Sequence, residues 1–416
     1  MDRIVITGGR KLKGEVIISG SKNAALPIQV ATLLTDERCL LTNVPRLRDI
    51  YTMNEVLKAI GSEVKETTAG FSFQSKPKQK KVAPYELVKT MRASVLVVGP
   101  LLVRLGEAKV ALPGGCAIGQ RPINIHLDGF KKLGAKVEIK EGYVHLKAKK
   151  LIGTKITFGF PSVGATENLM MAAVLSEGRT IIENAAREPE IVDLADFLVK
   201  MGAQVSGAGS GVIKINGVKE LHGCEHRVIP DRIETGTFII ASAITGGEIK
   251  IRNARLDHLD ALIDKLNQTG VKIEKKEDYI LVDGTSKLSP LEIETMPYPG
   301  FPTDMQAQVM SLMCVTPGTS IFTENIFENR FMHVSELQRM GAEIGLKGNV
   351  AFVKGVKNLS GAPVMATDLR ASAALVLAGL VAKGETDISR IYHLDRGYEQ
   401  IEVKLAKLGA KIKRIK

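Results

Sequence analysis

Apolar residues recur along the chain in two kinds of segment predicted to be helical, separated by short alternating runs. One kind is amphipathic. Leu194, Phe197, Leu198 and Met201 stand at helical spacing and are followed by Gly202, a stop signal. The other kind carries few polar positions, as in residues 169–175 and 238–244, and predicts helices buried on most sides. Residues 136–139 and 143–146 alternate around Glu141-Gly142 and predict a hairpin.

A short phrase repeats through this pattern: Ile60-Gly61-Ser62, Leu133-Gly134-Ala135, Met201-Gly202-Ala203, Thr269-Gly270-Val271, Met340-Gly341-Ala342 and Leu408-Gly409-Ala410. Its glycines are 73, 68, 68, 71 and 68 residues apart. Near-even spacing at this scale marks an internal repeat. Each unit reads as helix, strand, helix, strand, strand. The sixth unit ends at Lys416 before its hairpin is complete, while the N-terminus offers unpaired strands at 4–7 and 15–19. The first twenty or so residues are therefore expected to complete the last unit. Three units per domain give residues 1–20 plus 231–416 as one domain and 21–230 as the other. Two chain crossings between them suggest a hinge and a cleft.

Composition narrows the function. Lysine and arginine number 57 against 45 acidic residues, a net charge of +12 that suits acidic partners. Aromatic residues make up only 5% and tryptophan is absent, so base-stacking platforms are poorly supplied and no nucleic-acid partner is expected. The longest apolar run, residues 371–382, is too short to span a bilayer and predicts a buried helix. Ile4, Val5 and Ile6 open the chain in place of a basic stretch and a long apolar block, so no secretory signal is expected. Cys39, Cys116, Cys224 and Cys314 lie far apart with no Cys-x-x-Cys pair, which argues against zinc and fits a reducing cytoplasm.

The starts of the buried helices carry the chemistry. Ser21, Ser162, Asp231, Thr303 and Asp368 suit N-caps. Lys22, Arg92, Arg232 and Arg370 do not, because a cation there opposes the helix dipole. Four such misfits are explained by a bound anion. The loops opening the second helices add Arg121, Arg187, Arg330 and Arg396. Together the cations suit a site for phosphate and carboxylate groups. One of these loops, residues 112–122, sets Cys116 among three glycines near Arg121, a setting for an exposed thiol of altered acidity. His126, His258 and His393 have no metal-ligand spacing and are assigned no chemistry.

These segments resemble the enolpyruvyl transferases over nearly the whole chain. The resemblance rests on Ser21-Lys22-Asn23-Ala24-Ala25-Leu26-Pro27, Lys89-Thr90-Met91-Arg92-Ala93-Ser94, the cysteine loop, and Arg187-Glu188-Pro189-Glu190. It extends through Pro230-Asp231-Arg232, Phe301-Pro302-Thr303-Asp304-Met305-Gln306, Phe327-Glu328-Asn329-Arg330 and Ala366-Thr367-Asp368-Leu369-Arg370. It implies an α/β fold of two inside-out α/β barrel domains, each of three βαβαββ repeats, with the active site between them. It also implies transfer of the enolpyruvyl group of phosphoenolpyruvate to the 3′-hydroxyl of UDP-N-acetylglucosamine, with no cofactor, no metal, no membrane insertion and no obligate protein partner. A relative using shikimate 3-phosphate shares the fold and the donor but lacks the cysteine loop.

The resemblance also implies residue roles. Lys22, Arg121 and Arg396 hold phosphoenolpyruvate, with Arg92 and Arg370 close by and Arg330 in the same cationic set. Cys116 is the general acid or the nucleophile and Asp304 the base. Arg121, Pro122, Ile123, Asn124 and Ile125 contact the uridine. Ser162, Val163 and Gly164 contact the diphosphate, and Asn23 and the Ile326 backbone contact the sugar. Some relatives carry a lysine just before the Ser-Val-Gly segment. Here Phe160-Pro161 stands in that place, and the diphosphate contact is left to the helix start.

Overall fold

A computed structural model describes residues 2–76, 80–83, 85–88, 91–112 and 123–416. Among these the strands form six four-stranded sheets of one design. The third repeat shows it. Strand Lys155–Thr157 leads to helix Val163–Ala173, strand Arg179–Glu183 and helix Pro189–Lys200, then to strands Gln204–Ser206 and Val212–Asn216. The first strand runs parallel to 179–183, with Lys155 opposite Ile181. Strand Val212–Asn216 pairs antiparallel on the other side of 179–183, and Gln204–Ser206 forms the far edge. Ile213 and Ile215 are buried while their neighbours are exposed or half-buried, so one face of the sheet turns to the core.

The two helix types separate as their patterns predict. In Pro189–Lys200 one face is buried through Ile191, Leu194, Phe197 and Leu198. In Val163–Ala173 every residue from Ala165 onward is buried. The longest apolar run lies in helix Leu369–Val381, buried from Arg370 to Leu380. Each fully buried Leu or Val there contributes about 1.5–3 kcal/mol. No helix of the described residues is long and apolar enough to cross a membrane.

The six phrase glycines share one conformation. Gly61, Gly134, Gly202, Gly270, Gly341 and Gly409 all have positive φ, between 89° and 124°. This is the left-handed residue that ends a helix, where a side chain is strained. Gly202 N–H then donates to the Val199 carbonyl and Ala203 N–H to that of Leu198, at 2.9 and 3.0 Å. The repeat in the sequence is thus a repeat of helix stops.

The chain forms two compact units. One holds Pro230–Lys416 with the N-terminal residues up to Ser19, and the other holds the described residues between Gly20 and Ile229. Each has its own apolar core. In the first, helices Arg232–Thr245, Thr303–Met313 and Leu369–Val381 pack on one another. In the second, helix Val163–Ala173 packs on both Val98–Leu105 and Lys22–Ala31.

Two details differ from expectation. Strand Arg3–Thr7 joins strands Glu385–Ser389 and Lys411–Ile415, completing the sixth repeat. Strand Lys13–Ile17 instead joins the fourth repeat, parallel to Glu248–Arg252. The cause is upstream: strand Glu225–Arg227 pairs with Arg38–Thr42 of the first repeat, so the fourth needs its opening strand from elsewhere. The second repeat also lacks a continuous α-helix at its start. Residues Arg92–Val97 are 3₁₀, followed by helix Val98–Leu105. Pro100 has no N–H for the Leu96 carbonyl, so an α-helical bond cannot form across that junction.

Candidate active site

In the unit from Gly20 to Ile229, Ser21 caps helix Lys22–Ala31 by accepting the Ala24 N–H at 3.3 Å. Lys22 is its first residue and is buried, with Nζ 3.2 Å from Asp49 Oδ2. Burying an ammonium costs several kcal/mol unless a counter-charge meets it. Asp49, buried in the first turn of helix Arg48–Ile60, is that counter-charge. It fixes where the lysine sits. Asn23 follows, half-buried, and Pro27 offers no N–H to its carbonyl, so one helical hydrogen bond is missing there.

Ser162 caps helix Val163–Ala173, and the first N–H groups of the helix, at Val163 and Gly164, have no partner within it. Gly164 is close to His126: a Cβ there would come 3.3 Å from Cε1 of the imidazole. His126 is buried in helix Asn124–Lys132, which Ile123 precedes, and its Nδ1 lies 3.2 Å from Asn168 Nδ2. Burial, with Arg92 nearby, pushes its pKa down to about 4. Asn124 is exposed and Ile125 half-buried on the same first turn. Inside the Val163–Ala173 helix, Glu167 is fully enclosed. Burial first, then Glu190 and Glu188, raises its pKa well above the usual carboxylate range.

In the other unit, Asp304 is the focus. It lies in the first turn of helix Thr303–Met313 with its side chain 29% exposed. Arg330 Nη2 donates to Oδ1 and Arg370 Nη2 to Oδ2, each at 2.8 Å. Both arginines are buried. Burial by itself opposes the charge on Arg370. Asp304 leads the groups that more than offset it, and its pKa is raised. Arg370 follows the cap Asp368, whose Oδ1 accepts the Arg370 and Ala371 N–H groups at 2.8 and 3.1 Å.

Glu324 holds the neighbouring turn. Its Oε1 accepts from the Ile326 and Phe327 N–H groups at 2.9 and 3.1 Å, and its Oε2 accepts from the Thr303 hydroxyl at 2.9 Å. Ile326 is thereby tied to the residue before Asp304. Arg330 lies over the Phe327 ring, 5.5 Å from its centroid, and Arg232 over the Tyr298 ring at 5.6 Å. Arg396, half-buried, ends the 3₁₀ turn Ile391–Arg396. Partial burial, with Arg396 next, lowers the pKa of His393.

The family described as EPSP synthase (3-phosphoshikimate 1-carboxyvinyltransferase) matches residues 6–405. The chain belongs to this family of enolpyruvyl transferases. It is similar to the UDP-N-acetylglucosamine 1-carboxyvinyltransferase of Geotalea daltonii, 59% identical over 415 residues that cover 100% of both chains. The protein of that name from Thermodesulfovibrio yellowstonii is 57% identical over 417 residues, again 100% of both. Among solved structures, the enolpyruvyl transferase NikO from Streptomyces tendae superposes with a TM-score of 0.90 at 25% identity, covering 99% of this chain and 98% of that one. An EPSP synthase from Acinetobacter baumannii has a TM-score of 0.79 at 16% identity over 100% of both, a likeness of fold.

In this enolpyruvyl transferase, the residues singled out from sequence fall into two groups. Lys22, Asn23, Arg92, Ile123, Asn124, Ile125, Ser162, Val163 and Gly164 belong to the unit from Gly20 to Ile229. Asp304, Ile326, Arg330, Arg370 and Arg396 belong to the other. Of these, the structure joins Asp304, Arg330 and Arg370 by direct ion pairs. Cys116, Arg121 and Pro122 lie outside the described residues. Sequence reasoning missed Asp49 and Glu324. Asp49 had a legible signal, since Arg48-Asp49 opens a second helix as Arg187-Glu188 does in the third repeat. Glu324 had none, because its distant partners, the Thr295 and Thr303 hydroxyls, come from two other segments.

Proposed function

We infer that this enolpyruvyl transferase moves the enolpyruvyl group of phosphoenolpyruvate to the 3′-hydroxyl of UDP-N-acetylglucosamine and releases phosphate, the first committed step of peptidoglycan synthesis. Full-length agreement with relatives of that activity, at 57–59% identity, carries the reading. The two compact units are read as the two domains of the fold, and the protein as cytoplasmic.

The chemistry assigns roles as follows. Phosphoenolpyruvate brings a phosphate and a carboxylate, and Lys22, Arg121 and Arg396 hold them, with Arg92 and Arg370 in support. Cys116 gives a proton to the methylene carbon, which makes the adjacent carbon electrophilic. The sugar 3′-hydroxyl attacks that carbon as Asp304 takes its proton. Loss of a proton from the new methyl group then expels phosphate and restores the double bond. A carboxylate flanked by two guanidinium groups is a weaker base than a lone one. It suffices here because the carbon under attack has already been activated by protonation. The uridine falls to residues 121–125. Val163 and Gly164 offer N–H groups to the diphosphate, in keeping with Phe160-Pro161 where some relatives have lysine. Asn23 and Ile326 take the sugar.

The deciding experiment measures phosphate release from phosphoenolpyruvate with UDP-N-acetylglucosamine in one reaction and shikimate 3-phosphate in another. Release in the first alone is expected. Release only with shikimate 3-phosphate would overturn the acceptor, and release in neither would overturn the transfer itself.

A further inference from the structure

Behind Asp304 lies a buried polar network whose further members, Tyr398, Thr237 and Gln308, the roles above do not use. Tyr398 is buried, and its hydroxyl lies 2.9 Å from Thr237 Oγ1, 3.2 Å from Gln308 Nε2 and 3.5 Å from Arg370 Nη1. The hydrogens can be placed by elimination. Thr237 gives its single hydroxyl proton to the Ile233 carbonyl at 2.8 Å. At the Thr237 contact the tyrosine must then be the donor. Its two lone pairs are left for Gln308 and Arg370, both of which can only donate there. The Gln308 amide is oriented by the Asp304 carbonyl, an acceptor, to which Nε2 also donates at 2.8 Å. A hydroxyl that gives once and accepts twice meets all three neighbours.

Both accepted bonds lead to Asp304. Gln308 holds its backbone, and Arg370 holds its carboxylate. Arg370 Nε has no partner among the described residues, so the guanidinium is held by Asp304 at Nη2 and by Tyr398 at Nη1. Its Cζ also lies over the Tyr398 ring, 5.7 Å from the centroid. Without the hydroxyl, Asp304 would be the one hydrogen-bonding partner of the guanidinium among the described residues.

We propose that Tyr398 is a positioning residue for the transfer: its hydroxyl, through Arg370 and Gln308, sets the direction of the Asp304 carboxylate. This rests on Asp304 acting as the base. Tyr398→Phe keeps the ring beneath the guanidinium and removes only the oxygen. With both substrates, kcat for phosphate release falls about 10- to 100-fold, as misaimed catalytic groups do. KM for UDP-N-acetylglucosamine stays within about twofold, since the binding groups are untouched.

The readout that a merely structural role would not move is a double-mutant cycle, measured in single turnover. In an Asp304→Asn background, Tyr398→Phe should change the rate less than about twofold, because its effect passes through that carboxylate. Equal losses in both backgrounds, or an unchanged kcat in folded Tyr398→Phe, overturn the proposal while Asp304 stands as base. Wild-type kcat in Asp304→Asn alone overturns the base assignment, and this proposal with it. Should Tyr398→Phe fail to fold, Thr237→Val carries the same test. It removes the acceptor that orients the hydroxyl, and a lost kcat supports the proposal where an unchanged one overturns it.

Discussion

Lys404 donates to Glu234 across 2.5 Å, and Glu234 is 2% exposed in the first turn of helix Arg232–Thr245. The other carboxylate oxygen of Glu234 accepts the Ser19 N–H at 2.7 Å, so the pair anchors the N-terminal segment to this helix. Burial raises the pKa of Glu234 to about 7, and Lys404 opposes that rise.

This shift has a definite sign in stability. The native state holds the Glu234 proton between the unfolded value near 4.5 and the folded value near 7. Stability is therefore greatest below the lower value and falls as pH rises through the upper one, by about 3 kcal/mol from this group. Glu234→Gln should remove that fall. Urea unfolding at pH 4.5 and 7.5 measures it, and parallel pH trends in the two proteins would refute it.

His126 carries the opposite sign. Its folded pKa near 4 lies below the ordinary 6.5, so the contribution is full above pH 6.5 and is lost as pH falls toward 4. The tautomer follows from its neighbour. Asn168 Oδ1 accepts the Gly99 N–H at 2.8 Å, which turns the amide nitrogen toward His126 Nδ1. Nδ1 must accept, and the proton sits on Nε2. Imidazole nitrogen NMR between pH 5.5 and 7.5 should show a neutral Nε2–H ring; a protonated ring at pH 6 would contradict the placement.

Two glycines mark where a sheet closes on its helix. A Cβ on Gly217 would fall 1.6 Å from the Ser176 carbonyl oxygen, and one on Gly355 would fall 1.7 Å from that of Thr316. These are equivalent sites in the third and fifth repeats, and neither contact involves a movable side chain. Gly355→Ala should cost about 1–3 kcal/mol or more. Gly345→Ala, where nothing lies within 4 Å, should stay within about 0.5 kcal/mol. Denaturant midpoints for the two variants check this, and similar shifts would count against it.

Thiol reactivity should be confined. Cys39 and Cys314 are buried, and burial pushes the Cys314 pKa up to about 12. Cys224, half-buried, has a raised pKa through its contact with Cys39 and through burial. A small epoxide offered to the folded protein should give one adduct, on Cys116, and Cys116→Ala should take none while losing turnover by about 100-fold or more. Intact-mass and peptide mapping would locate the label; a first adduct on Cys39 or Cys314 would defeat the expectation.

Much of the architecture could be read without coordinates, because it is written in neighbouring residues. A helix stop needs a left-handed glycine, so six evenly spaced stops announced six repeats. A helix buried all round needs an apolar sequence all round, and residues 371–382 supplied one. Cations at helix starts were conspicuous because they oppose the dipole. The arrangement that makes them tolerable was not legible. Lys22 and Asp49 stand 27 residues apart, and Asp304 and Arg370 stand 66 apart.

What the sequence determined by itself was local: period, caps, stops and the residue types that phosphate and carboxylate chemistry needs. Tertiary structure decided which distant segments share a sheet and which side chains share a proton. Strand Lys13–Ile17 pairs with Glu248–Arg252 because an earlier strand had gone to another repeat, a choice no local pattern records. Tyr398 meets Thr237 across 161 residues because three buried helices converge there. Periodicity reports only which face of a segment is buried. The partner met on that face is settled by how the elements pack.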